Sequence, residues 1–166
     1  MRKISLGQLL GVLMLLTACG PTEKKTSSDS DYLKEISIAD LQKGYQQGDF
    51  TIEKVVRDYL QRIEDLDRQG PQLNSVLFIN PKAIETAREL DEELRAGKSR
   101  GPLHGIPILL KDNIDTYDMP TTAGATVLRD SYPPYDSYLT KKLREAGAVI
   151  LGKANLSEWA NFRADM

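Results

Sequence analysis

Apolar positions along the chain fall into two rhythms. Between residues 51 and 66, Ile52, Val55, Val56, Tyr59, Leu60, Ile63 and Leu66 recur at steps of three and four. That spacing draws one apolar face on a helix, with Thr51 at its N-cap and Gly70-Pro71 ending it. Ser37, with Asp40 three residues on, reads as a capping box for an earlier helix that Gly48 closes. Asn80-Pro81 opens a third helix through Ala83, Ile84, Ala87, Leu90 and Leu94 to a stop at Gly97. Ser137 caps a fourth over Tyr138, Leu139, Leu143 and Ala146, closed by Gly147. The second rhythm is short and β-branched. Residues 73–79 read as one strand, residues 108–110 as a second with both faces buried, and residues 148–151 as a third, with 152–155 leading out of it. Residues 116–134, rich in Pro and Thr, read as loop. Strands separated by helical patterns predict an α/β arrangement.

The first twenty residues break this pattern. Arg2 and Lys3 precede an unbroken apolar run over residues 9–16. Eight residues at about 1.5 Å rise cover roughly 12 Å, under half of a ~30 Å hydrocarbon core. The run therefore reads as the hydrophobic region of an export signal and not as a membrane span. It ends in Leu16-Thr17-Ala18-Cys19-Gly20, where small residues precede the only cysteine. This resembles the lipobox of bacterial lipoproteins, which implies cleavage before Cys19 and lipidation of its sulfur. Residues 1–18 are thus expected to be a lipoprotein signal peptide. Residues 19–31 are expected to be the lipidated cysteine and a flexible tether, being polar and unable to offset their ordering entropy. Residues 32–166 form the folded part. The implied location is the bacterial cell envelope, attached to membrane and facing away from the cytoplasm. Gly20 favours the outer membrane in a Gram-negative source, because it replaces the aspartate that marks inner-membrane retention.

Composition narrows the chemistry. With 22 basic and 24 acidic residues the formal charge is −2, without the basic surplus of a protein that neutralises nucleic-acid phosphates. A single cysteine and a single histidine make neither a disulfide nor a zinc cage. Asp112, Asn113 and Asp115 lack the central glycine and twelfth-position glutamate of a calcium loop, so no metal site is expected. There is no Gly-x-Ser-x-Gly elbow. His104 sits in a Gly- and Pro-bounded turn and reads as structural. Lys111 follows three apolar residues at the end of a strand, where open α/β sheets place functional groups. An amine held dry there would lose charge readily and could serve as a general base. On pattern alone it could equally be a strand-end lysine reaching for solvent.

Three segments in order, GPLHGIPILLKDNIDT at 101–116, TTAGA at 121–125 and AGAVILGKANLSEWANFR at 146–163, resemble the amidase signature family. The resemblance extends over roughly residues 35–163. It implies a mixed sheet flanked by helices, and a Ser–cis-Ser–Lys hydrolase of linear amides that needs no cofactor. The lysine of the Lys-Asp-Asn motif, here Lys111, is then the general base. Asp112, Asn113, Asn155 and Glu158 match positions that support the site, and the 121–125 loop is expected near the substrate cleft. In the family the two serines lie in a Gly/Ser-rich stretch soon after the region matching residues 155–162. The expectation is therefore an N-terminal portion of the fold that carries the base without its serines and is inactive by itself. The alternative expectation is a non-catalytic, membrane-anchored binding module. The implied partners are a small-molecule amide and the membrane, with no nucleic acid.

Overall fold

The structure is a computed structural model and describes residues 28–160. The expected signal peptide, Cys19 and most of the tether lie outside the described residues. The last residues of the expected tether are wound into a 3-10 turn, Ser28–Leu33, which ends by burying Leu33 in the core.

Helix α1 spans Ile38–Gln47, and its capping box forms as the sequence predicts. Asp40 N–H donates to Ser37 Oγ at 3.1 Å, and the Ser37 hydroxyl donates to the Asp40 carboxylate at 2.6 Å. Helix α2, Ile52–Arg62, starts at Thr51, whose Oγ1 accepts from Lys54 N–H. It continues into a π-helix over Ile63–Arg68. Helix α3, Ala83–Arg95, begins a few residues later than Asn80-Pro81 suggests. Asn80 Oδ1 accepts from Lys82 N–H, so the asparagine closes a turn ahead of the helix proper. Helix α4 spans Tyr138–Glu145 behind Ser137. Its apolar face is only partly used: Leu143 packs inward, while Tyr138 and Leu139 are exposed.

Three strands, β1 (Val76–Ile79), β2 (Pro107–Lys111) and β3 (Val149–Ala154), make one sheet in the order β1-β3-β2. β1 runs antiparallel to β3 and β2 parallel to it, so the sheet is mixed. The parallel pair is joined through α4, the crossover that a parallel connection requires. β1 is shorter than expected because Gln72 and Asn74 adopt left-handed backbone (φ 57° and 52°), which an extended strand cannot contain. Helices α2 and α3 and the first turn cover one face through Leu33, Val55, Val56, Ala87 and Leu90 against Val149 and Leu151. A smaller cluster of Leu110, Met119 and Ile150 fills the other face.

Two strand readings need correction. β2 is not buried on both faces: Leu109 is 39% exposed and Lys111 is also exposed. β2 is an edge strand, and only its Leu110 side is covered. β3 does not end at Leu151. It continues through Gly152 and Lys153 to Ala154, because both neighbouring strands pair with that stretch.

Candidate active site

β2 ends at Lys111, and the chain turns at once, with Ile114 N–H donating to Lys111 O at 3.0 Å. Alternation along the strand puts Lys111 on the Leu109 side and Asp112 on the Leu110 side. The two neighbours accordingly have opposite surroundings. Lys111 is exposed, so the dry environment expected for it is absent in this structure, and Asp112 is fully buried.

Asp112 holds the strand end and the next loop together. One carboxylate oxygen accepts from Thr122 N–H at 3.1 Å and from the Thr122 hydroxyl. Its backbone N–H donates to Ala154 O, and its carbonyl accepts from Ala123 N–H, each at 3.0 Å. The 121–125 loop is thereby pinned to the end of the sheet. Ala123 (φ 51°) and Gly124 (φ 73°) both take left-handed backbone there. A side chain at Gly124 would meet Leu156 O at 2.9 Å, which brings the segment after β3 against the same loop.

The other carboxylate oxygen of Asp112 accepts no hydrogen bond and lies 3.5 Å from Lys153 Nζ. Lys153 is fully buried. Its ammonium also donates to Ile114 O at 2.7 Å and to Thr121 Oγ1 at 2.9 Å. Burial pushes the amine below its ordinary value, against the pull of Asp112. Sequence reasoning missed this residue. The physical profile it assigned to Lys111 belongs to Lys153, whose ammonium is held by two hydrogen bonds and one ionic contact.

A shift in strand register brings Lys153 to this position. Ile108 pairs with Ile150, Leu109 with Gly152 and Leu110 with Lys153, so Leu151 is an extra residue on β3. Its carbonyl is taken by Asn80 N–H at 2.8 Å. Were the same residues paired without this bulge, alternation would send Lys153 to the side of Val149 and Leu151, into the apolar core under α2 and α3.

The remaining expected residues disperse. Asn113 is exposed and lines a 420 Å³ cavity with Asp115, Thr121, Ala123, Leu128, Ser131 and Trp159. Asn155 fastens its own turn, donating to Asn74 O and accepting from Leu156 N–H, and it borders a smaller cavity on the β1 side. Glu158 is exposed. His104 is structural, as its setting suggests. Nδ1 accepts from Arg100 N–H, which leaves Nε2–H to donate to Leu90 O at 3.0 Å. Among the described residues no cluster of three or more His, Cys, Asp or Glu side chains could hold a metal ion, and no helix is long and apolar enough to cross a membrane.

A family model described as Amidase matches residues 54–164, which include the Lys111–Asp112–Lys153 arrangement. The chain belongs to the amidase signature family. As an amidase-family chain it is similar to the native peptide amidase from Stenotrophomonas maltophilia. The two share 51% identity and a TM-score of 0.77 over 81% of this chain and 27% of that one. An amidase family protein from Bacillus anthracis matches at 40% identity and a TM-score of 0.74, over 82% of this chain and 28% of that one. A glutamyl-tRNA(Gln) amidotransferase subunit of Alkaliphilus metalliredigens is 41% identical over 77% of this chain and 26% of its own length. The chain thus spans about a quarter of the length of these relatives. The mixed sheet flanked by helices is the amidase signature fold over this region.

Proposed function

We propose that this chain supplies the lysine part of an amide-hydrolysing site. Lys111 is the general base of a Ser–cis-Ser–Lys mechanism, and the two serines come from the Gly/Ser-rich segment that comes next in the family. Lys111 would take a proton from the bridging serine, which activates the nucleophile. The nucleophile attacks the amide carbonyl, ammonia or an amine leaves, and water cleaves the acyl-enzyme. One observation carries the reading: Lys111 is exposed at the end of β2, beside a buried Asp112 that ties this strand end to the 121–125 loop. Lys153 is unsuited to the same task, because to accept a proton it must first give up a contact to Asp112, Ile114 or Thr121. The exposed amine on β2 would become desolvated when the serine-bearing segment covers it. Asn113, which lines the 420 Å³ cavity, would face substrate there. Asn155 and Glu158 support the turn that closes against Gly124.

The substrate is a linear amide. An exported, membrane-attached chain does not meet aminoacylated tRNA, so a peptide amide is the assay substrate of choice. The test is a chimaera in which residues 32–160 replace the matching segment of the Stenotrophomonas maltophilia peptide amidase. It should hydrolyse peptide amides. Lys111→Ala in it should lower kcat by about 10²–10⁴-fold with the thermal transition unchanged. A folded chimaera without activity would defeat the proposal that this segment completes an amide-hydrolysing site, and an active Lys111→Ala variant would remove Lys111 from the chemistry.

A further inference from the structure

Lys153 is the largest fully buried side chain among the described residues, and the proposed mechanism gives it no role. We propose that Lys153 is a positioning residue whose ammonium clips the 112–114 turn to the 121–125 loop, fixing the strand end from which Lys111 projects.

The geometry supports a clip. One nitrogen reaches three points on two segments that are otherwise separate in the chain: Asp112 Oδ1 and Ile114 O on the turn, Thr121 Oγ1 on the loop. Asp112 grips the same loop from the other side through Thr122 and Ala123. Its second carboxylate oxygen has no hydrogen-bond donor, so the charge of Lys153 is what compensates it. The groups facing the ammonium are few. Asp112 lies on the β2 side, with Asp115 and Asp118 farther along the same loop. Asp118 is already held by Arg144 of α4 at 2.8 Å, and Arg144 Nε also pairs with Asp136 at 3.0 Å. Phe78, opposite Lys153 on β1, is uncharged. Loss of the proton would leave Asp112 as an uncompensated buried charge, and the clip would open. The proposal rests on the reading of Lys111 as base only for what the fixed strand end is used for.

The test uses the ¹⁵N-labelled chain and reads no turnover, so a failure of Lys111 as base would leave it untouched. The Lys153 ¹⁵Nζ signal is followed against pH, together with exchange protection of three amides. Ile114 donates to Lys111 O, and Thr122 and Ala123 both donate to Asp112. With the intrinsic base catalysis of exchange divided out, all three should lose protection at least about tenfold at the midpoint where Lys153 loses its proton. Val149, whose N–H donates to Ile106 O, should not respond. Lys153→Met should show the low protection at every pH. Protection that stays flat through the Lys153 titration, or a folded Lys153→Met chain with wild-type protection, overturns the proposal. If the methionine variant does not fold, the wild-type titration decides. If Lys153 keeps its proton throughout, Asp112→Asn decides: wild-type protection of Thr122 and Ala123 in that variant likewise refutes the clip.

Discussion

Two lysines separate the demands of chemistry from those of architecture. Lys111 stays available because strand alternation leaves it on the uncovered side of β2. Lys153 is buried and held by two hydrogen bonds and the charge of Asp112. Its depressed pKa has a thermodynamic consequence. Between that lowered value and the ordinary 10.5, the unfolded chain binds a proton that the folded chain does not. Stability then rises with pH across that window, so this one group makes the fold less stable toward neutral pH. Urea melts of the chain from neutral to alkaline pH should show this rise, and Lys153→Met should flatten it. The methionine variant should also be weaker overall, by about 3–5 kcal/mol, because removing one partner strands the other charge in the interior. An unchanged pH slope in that variant would mean that other groups set the alkaline behaviour. The sequence shows Lys111 plainly, since a charge directly after Ile108-Leu109-Leu110 marks a strand end. Lys153 was hidden by a parity argument. Counting alternate residues from Val149 places it among the apolar side chains under the helices, so ending the strand at Leu151 was the natural reading.

At the scale of elements, helix ends were the most legible features. Ser37, Thr51 and Ser137 are caps in the structure, and Gly48, Gly97 and Gly147 take left-handed backbone where each helix stops. Local chemistry decides such ends, and local chemistry is what a sequence displays. Strand limits depend on neighbours. β1 begins at Val76 because Asp67 holds Ser75 N–H at 2.8 Å and Val76 N–H at 3.2 Å, a contact across eight or nine residues that no pattern announces. β3 extends past Leu151 because Gly152 lets β1 approach. A Cβ at Gly152 would lie 2.1 Å from Phe78 O, a backbone atom that cannot swing away. Gly152→Ala should therefore break the β1–β3 pairing and lower the melting temperature by several degrees, in line with the roughly 1–3 kcal/mol of overpacking. A melting point within a degree of wild type would show that β1 is free to shift outward.

For the whole molecule, family membership was legible from three ordered segments and is supported independently by the family match and by fold similarity to solved amidases. The extent of burial on β2 was not, because it depends on what else pairs with that edge. The expected anchor belongs to this scale too. A lipid on Cys19 would hold the folded part at a membrane surface. Cys19→Ser should move the protein from the membrane fraction to the soluble one. Unchanged partitioning would mean that attachment, if any, is made elsewhere.

The supernumerary Leu151 carries a lesson about heredity. Dropping its codon would leave Gly152 and Lys153 following Ile150 in plain alternation, opposite Leu109 and Leu110 as before, with the cation on the same side. The loss would be one apolar side chain from the core under the helices and the carbonyl that receives Asn80 N–H. At this spot a polar replacement of equal length is a heavier inheritance than a missing codon.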